Sequence, residues 1–399
     1  MKLDRIISID DMRDAARREL PKIIFDFIEG GVDGEHCLAT NEACGSIRLV
    51  PRYFGDVGKV DQGVTLMGQT YASPFGIGPT GLVGLFRPGG DLMLARAAAA
   101  ARIPFVLSSH ANASLEEAAA AAGEYTWFQL YGARNRDISA DMTKRARDAG
   151  IKTLMVTVDT PVSSKRERNM RNGFSRPLRM RLPILLEALR HPGWIARYLA
   201  SGGTPLFSNW SPYAPAGASN DEVADFSTTQ TPNRQTWKDL EATRRLWPQK
   251  LVVKGVMHPD DAVRTVECGA DGVIVSNHGG RVFDRAPSTF EIFPHVRDAV
   301  GGRTSLMLDS GIQRGGDIAT ALALGADFTF VGRATLYGAC VAGEAGATLA
   351  IEILQREIEI VLGQIGCASP ADLNQSFLFS SFGEITPRSP IAPRIARST

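Results

Sequence analysis

Short apolar runs recur along the chain, and each ends in small or polar residues. They are Phe75–Gly78, Pro104–Leu107, Trp127–Leu130, Leu154–Val158, Leu251–Lys254, Val273–Ser276, Ser305–Leu308 and Phe328–Val331. Between most neighbours lies an Ala-rich or amphipathic stretch, such as Asp91–Ala101 or Ala140–Ala149. Runs of this length read as buried strands, and their alternation with helical stretches predicts a parallel sheet covered by helices. Eight is also the strand count of a closed barrel. The expected fold is therefore α/β, a single (β/α)8 TIM barrel. Ahead of it, Ile9 to Gly31 reads as N-terminal helices, with Asp10 and Asp11 as N-cap candidates and Gly30-Gly31 as a stop signal.

The rhythm breaks once, after the fourth strand, where about ninety residues separate Asp159 from Leu251. The part from Pro161 to Ala200 carries nine Lys/Arg against two Asp/Glu and includes the apolar stretches Leu182–Leu186 and Trp194–Leu199. Thr204 to Pro232 is rich in Ser, Thr, Asn, Pro and Ala and reads as a loop, ordered or disordered. The expected organisation is one barrel over residues 1–385, with an insert at 160–235, and a flexible tail at 386–399.

Composition narrows the class. The 399 residues are 44% hydrophobic with a formal net charge of +1, which gives no reason to expect nucleic acid as a partner. The five cysteines, Cys37, Cys44, Cys268, Cys340 and Cys367, are scattered and form no C-x-x-C pair. Neither a disulfide framework nor a metal site is expected, and a reducing cytoplasm fits. The N-terminus lacks the apolar core of a secretory signal, and no apolar run reaches the roughly 18–20 residues that span a bilayer.

In a barrel the chemistry sits at the C-terminal ends of the strands. Ser276-Asn277-His278-Gly279-Gly280-Arg281 is the sharpest signal there, because His accepts protons near neutral pH and Arg grips carboxylates. A loop His beside a solvated Arg is the plainer alternative. Asp159 could orient that imidazole, and Arg166 could add a second clamp; helix capping and surface charge are the plainer reading of both. Lys254 closes an apolar strand, so it either snorkels to solvent or meets a ligand. Asp309, Gly311, Arg314, Gly332 and Arg333 come from the last two strands, where barrels build phosphate sites. Gly76-Ile77-Gly78-Pro79-Thr80-Gly81 matches G-x-G-x-x-G, but Pro79 interrupts it and no acidic residue ends the next strand, so it is discounted as a dinucleotide fingerprint. His258, before Pro259, reads as a capping or solvated residue.

Taken together, these segments resemble the FMN-dependent α-hydroxy acid dehydrogenase/oxidase family, from about Ile9 to Leu373. Ser276–Arg281 is similar to its active-site signature, and Leu20-Pro21-Lys22 and Phe128-Gln129-Leu130-Tyr131 match as well. The resemblance implies FMN as cofactor, a small 2-hydroxy acid as substrate, and His278 as the base with Asp159 as its electrostatic partner. It implies a carboxylate clamp of Arg281 and Arg166, a substrate-contacting hydroxyl on Tyr131, and a flavin-facing cation on Lys254. Pro79, Thr80, Ser108, Gln129, Thr157 and Ser276 resemble flavin-ring contacts. Asp309 resembles a ribityl contact, with Gly311, Arg314, Gly332 and Arg333 near the phosphate. Two positions depart from the family: Phe27 stands where a Tyr helps hold the carboxylate, and Gln313 where most relatives have Arg. His110 lies where relatives vary with substrate.

The closest likeness is to the mandelate dehydrogenase branch, through Gly78–Leu82, Leu246–Lys250 and Gly332–Gly338. That branch has glycine at the position of Gly81, which favours a dehydrogenase passing electrons to a quinone over a peroxide-forming oxidase. A membrane-attaching insert is expected at Leu178–Tyr198, basic and apolar together. A homotetramer on the cytoplasmic face of the inner membrane completes the expectation. The alternative from another class is a flavin-binding protein with little hydroxy-acid turnover, motivated by Phe27 and Gln313.

Overall fold

The computed structural model describes residues 3–42, 47–55 and 57–379. Cys44 and the tail at 386–399 lie outside them. Eight parallel strands close into a barrel. They are β1 (Phe75–Thr80), β2 (Phe105–Ser108), β3 (Thr126–Tyr131), β4 (Thr153–Thr157), β5 (Lys250–Val256), β6 (Gly272–Val275), β7 (Ser305–Asp309) and β8 (Phe328–Val331). The ring closes where Phe330 of β8 pairs with Gly76 of β1. All eight apolar runs are strands, because each is buried against helices outside and side chains inside.

Two helices precede the barrel, α1 (Ile9–Glu19) and α2 (Lys22–Glu29), broken at Leu20-Pro21. The N-cap of α1 is Ser8, not Asp10 or Asp11: the Ser8 hydroxyl accepts from the Asp11 amide at 3.1 Å. Gly30 ends α2, as expected. His258 caps the helix Pro259–Glu267, its Nδ1 accepting from the Asp260 amide at 3.1 Å.

The insert lies between β4 and β5. It contains a helix pair, α3 (Leu182–Ala188) and α4 (Pro192–Ala200), docked on the barrel through the buried Ile184, Ala188, Trp194 and Tyr198. Trp194 donates to the Leu85 carbonyl at 2.9 Å. The polar stretch after it is not a plain loop. Asn220–Gln230 is helical, started by a capping box in which the Ser219 hydroxyl and the Glu222 carboxylate satisfy each other's backbone amides. The long helix Arg333–Gln364 has the length and composition of a bilayer span, but 67% of its most apolar window is buried in the protein. It breaks at Ala342 and Gly343 and serves as a core helix.

The far end of the barrel is plugged. Val106, Trp127, Met155, Val252, Ile274, Met307 and Phe328 fill the interior, beneath Leu66 and Tyr71 of a hairpin formed by Val64–Leu66 and Gln69–Tyr71. Trp127 donates to the Tyr71 hydroxyl at 3.2 Å, so the plug leaves its indole satisfied.

Candidate active site

Side chains two apart on a strand share a face. Two residues beyond each plug residue, six of seven positions turn polar: Ser108, Gln129, Thr157, Lys254, Ser276 and Asp309, with Phe330 the exception. Two further on, at or past the strand ends, stand His110, Tyr131, Asp159, His278, Gly311 and Gly332. Above them opens a cavity of about 460 Å³, lined by residues from most strands, α2 and the insert.

His278 dominates its wall. The His278 Nδ1 lies 2.8 Å from Asp159 Oδ1, and Nε2 lies 3.4 Å from the Tyr131 hydroxyl. Burial pushes the Asp159 carboxyl up, but His278 and Lys254 more than offset this and hold it below the usual carboxylate range. An ionised carboxylate accepts only, so the imidazole proton sits on Nδ1 and the Nε2 lone pair is left free. His278 adopts φ +57°, in the left-handed region that non-glycine residues rarely occupy, and its amide donates to Ser276 Oγ at 3.1 Å. Asp159 fits tightly because residue 255 is glycine: a Cβ there would stand 2.5 Å from the Asp159 Cβ, and its φ of +100° suits glycine.

At the floor, Lys254 Nζ donates to Ser276 Oγ at 2.9 Å and pairs with Asp309 Oδ2 at 3.2 Å. Ser276 and Ser310 both donate to Asp309 Oδ1. A buried ammonium is therefore neutralised from one side and open on the other.

The cationic wall rests on α2. Arg281 donates to the carbonyls of Phe27 (2.6 Å), Ile28 (2.9 Å) and Gly30 (2.6 Å). Arg333 donates to Ile28 and Gly279. Apart from that of Gly279, these are the carbonyls at the end of α2, several of which have no helical partner, so two guanidiniums cap the helix and are fixed by it. Arg166 Nε donates to the Arg281 carbonyl at 3.3 Å. Burial, and then Arg176, pull the Arg166 guanidinium down to about 10. Burial lowers Arg281 as well, with Arg166 adding to it. Phe27 stacks on Phe174 at 4.3 Å, and its ring centre lies 5.4 Å from the Arg281 guanidinium carbon and 6.0 Å from that of Arg166. Where a phenol would donate, this chain offers a π face to two cations.

Pro79, Thr80, Gly81, Ser108, Tyr131, Thr157 and Lys254 line the cavity, as do Asp309, Gly311, Gly332, Arg333, Phe27 and His110. Gln129, Ser276 and Asp159 lie just behind the lining. Arg314 is not brought to it. Its guanidinium pairs with Glu357 and Asp10, which neutralise it on the outer side of the barrel, while neighbouring Gln313 lines the cavity.

The whole chain has known relatives. A model of the FMN-dependent dehydrogenase family matches residues 16–380. The (S)-mandelate dehydrogenase of Pseudomonas putida is 36% identical over 395 residues, covering 99% of this chain and 98% of its own. The L-lactate dehydrogenase of Caulobacter vibrioides is 37% identical over 375 residues, covering 94% and 97%. A crystal structure of the monotopic membrane protein (S)-mandelate dehydrogenase superposes with a TM-score of 0.90 at 37% identity, covering 94% of this chain and 99% of that one. The chain belongs to the FMN-dependent dehydrogenase family.

The cavity of this FMN-dependent dehydrogenase suits its cofactor. Gln129 Nε2 and Thr157 Oγ1 are buried at the floor with no hydrogen-bond partner among the described residues. Leaving such atoms unpaired costs roughly 1–3 kcal/mol each. A planar ring edged with nitrogen and carbonyl acceptors and donors, as flavin is, would satisfy both beside the Lys254 ammonium.

Several cavity residues escaped the sequence reading. Arg176 and Thr231 come from the insert, whose long excursion hides what it returns to. Ser310 follows Asp309 directly. Behind the lining, Asn277 of the segment already singled out is braced by a reciprocal amide pair with Asn41 (2.8 and 2.7 Å), a contact across 236 residues that no local pattern announces. The run of basic residues in the insert was the one available signal for Arg176.

Proposed function

We propose that this FMN-dependent dehydrogenase oxidises an L-2-hydroxy acid, mandelate- or lactate-like, to the 2-oxo acid. The observation that supports this most is that His278, Asp159, Tyr131 and two arginines converge on one cavity. Arg281 and Arg166 hold the substrate carboxylate. Asp159 keeps the His278 proton on Nδ1, so Nε2 takes a proton from the substrate as it is oxidised, and the carboxylate then stabilises the imidazolium. Burial, and then Asp159, raise the Tyr131 phenol above its usual range, so it stays protonated and donates to the substrate. Ser108, Gln129, Thr157, Lys254 and Ser276, with Pro79, Thr80 and Gly81, would hold the flavin ring; Asp309 the ribityl chain; and Gly311, Gly332 and Arg333 the phosphate end. Bound FMN supplies a two-electron acceptor that can pass the pair on to a quinone.

The insert supports a location on a membrane surface. The α3–α4 pair is apolar on two sides: one packs on the barrel, and the other leaves Leu182, Leu185, Leu186, Leu189 and Leu199 exposed among Arg179, Arg181 and Arg190. Exposed leucines ringed by arginines suit an anionic bilayer, and the 37% identical relative is itself monotopic. A quinone would be at hand there.

Anaerobic mixing of the yellow holoenzyme with a panel of hydroxy acids, followed by flavin absorbance, tests the activity. Rapid bleaching by one class is expected, with slow reoxidation in air if Gly81 marks a dehydrogenase. Failure of every acid to bleach it contradicts the reading, and fast reoxidation turns it to a peroxide-forming oxidase.

A further inference from the structure

Four arginines line the cavity: the clamp uses Arg281 and Arg166, the phosphate end Arg333, and Arg176 is left. Arg176 lines the same cavity, yet its guanidinium makes no ion pair or hydrogen bond to any described residue. It is close enough to act electrostatically on Arg166, Tyr131 and His110. It lines the cavity beside the clamp and is exposed, so its guanidinium meets the water there. An unpaired cation next to two others is repelled by them and gains most from an anion.

His110 supplies an independent sign. The ring is buried, 6% exposed, among Tyr131, Phe207 and Trp210. Its Nε2 lies 3.0 Å from Thr231 Oγ1, whereas Nδ1 is buried with no partner among the described residues, on a ring that lines the cavity. The Thr231 hydroxyl also reaches the Ser227 carbonyl at 3.2 Å. Turned to Ser227, it accepts from Nε2–H and leaves Nδ1 bare. Turned to His110, it donates to Nε2 and moves the imidazole proton to Nδ1, which then becomes a donor in search of an acceptor. One hydroxyl rotation thus matches the pocket to an acceptor without charging the ring.

We propose that Arg176 and His110 form a second anion subsite, which takes the distal carboxylate of a dicarboxylic 2-hydroxy acid. This rests on the hydroxy-acid reading above and narrows its substrate class. The first carboxylate sits on Arg281 and Arg166, and the chain of the substrate carries the second across to Arg176.

Binding tests this apart from turnover. Dissociation constants on the FMN holoenzyme, from perturbation of the flavin spectrum or calorimetry, are compared for oxaloacetate, 2-oxoglutarate and 2-oxoadipate and for their apolar isosteres, in which an isopropyl group replaces the distal carboxylate. At least one diacid is expected to bind about tenfold or more tighter than its isostere, the gain of a charge-assisted hydrogen bond. Arg176→Leu should collapse that ratio towards one, and Arg176→Lys should keep part of it. Ratios near one for all three pairs overturn the subsite. So does an Arg176→Leu variant that weakens diacid and isostere equally, because Arg176 then belongs to the first clamp. A diacid preference without any bleaching by hydroxy acids keeps the subsite and contradicts the oxidation reading instead.

Discussion

On β3, Trp127 and Gln129 stand two residues apart and face the same interior, but their polar atoms fare oppositely. The Trp127 indole is satisfied by Tyr71, and the Gln129 amide nitrogen is buried without a partner among the described residues. The same step is taken from Met155 to Thr157, from Val252 to Lys254, from Ile274 to Ser276 and from Met307 to Asp309. One end of the barrel is sealed by its own side chains, whereas the other carries polar groups that its own side chains leave partly unsatisfied. The sealed end supplies stability by burial. The open end spends stability on groups that pair only when a ligand arrives.

That contrast can be broken from either side. The largest effect is expected at the plug: Trp127→Ala should cost about 3–5 kcal/mol of unfolding free energy, read by denaturant titration, because the surrounding hairpin and strands cannot close the void. The next is at His110, whose imidazole burial, and then Arg176, pull down to about 3. The unfolded chain binds this proton below about pH 6.5 and the folded one does not, so stability falls as pH drops through that window. His110→Phe should remove about 1–2 kcal/mol of the loss between pH 7 and pH 5, measured by unfolding at the two pH values; an unchanged slope would mean that the ring charges in place. The smallest is Thr157→Val. Its hydroxyl has no partner among the described residues, so the apoprotein should gain up to about 1 kcal/mol, while FMN binding weakens by about tenfold or less. A loss of apoprotein stability there would erase the difference between the two ends.

Much of this was legible in the sequence. The eight runs, their polar ends and the His278–Arg281 segment are local patterns, and strand periodicity carries them into one cavity. The α1 cap was misplaced by two or three residues because Ser8, Asp10 and Asp11 all suit a helix start. The Asn220–Gln230 helix was missed although Ser219 and Glu222 spell a capping box, since the polar composition around it outweighed four residues. Other features were not local. Arg314 reads like a phosphate ligand beside Gly315 until Asp10 and Glu357 arrive from distant helices to claim it. Arg176, Gly255 and the grip of Arg281 on α2 depend on chain separations that no spacing encodes.

The central claim is that His278 is the base of a flavin site at the open end. The most direct test compares wild-type and His278→Gln holoenzymes, both titrated for FMN affinity and mixed anaerobically with the acid that bleaches the wild type fastest. FMN affinity is expected to stay within a few-fold, and the rate of flavin reduction to fall by about 10²–10⁴. Reduction at the wild-type rate with FMN bound would contradict the assignment of His278.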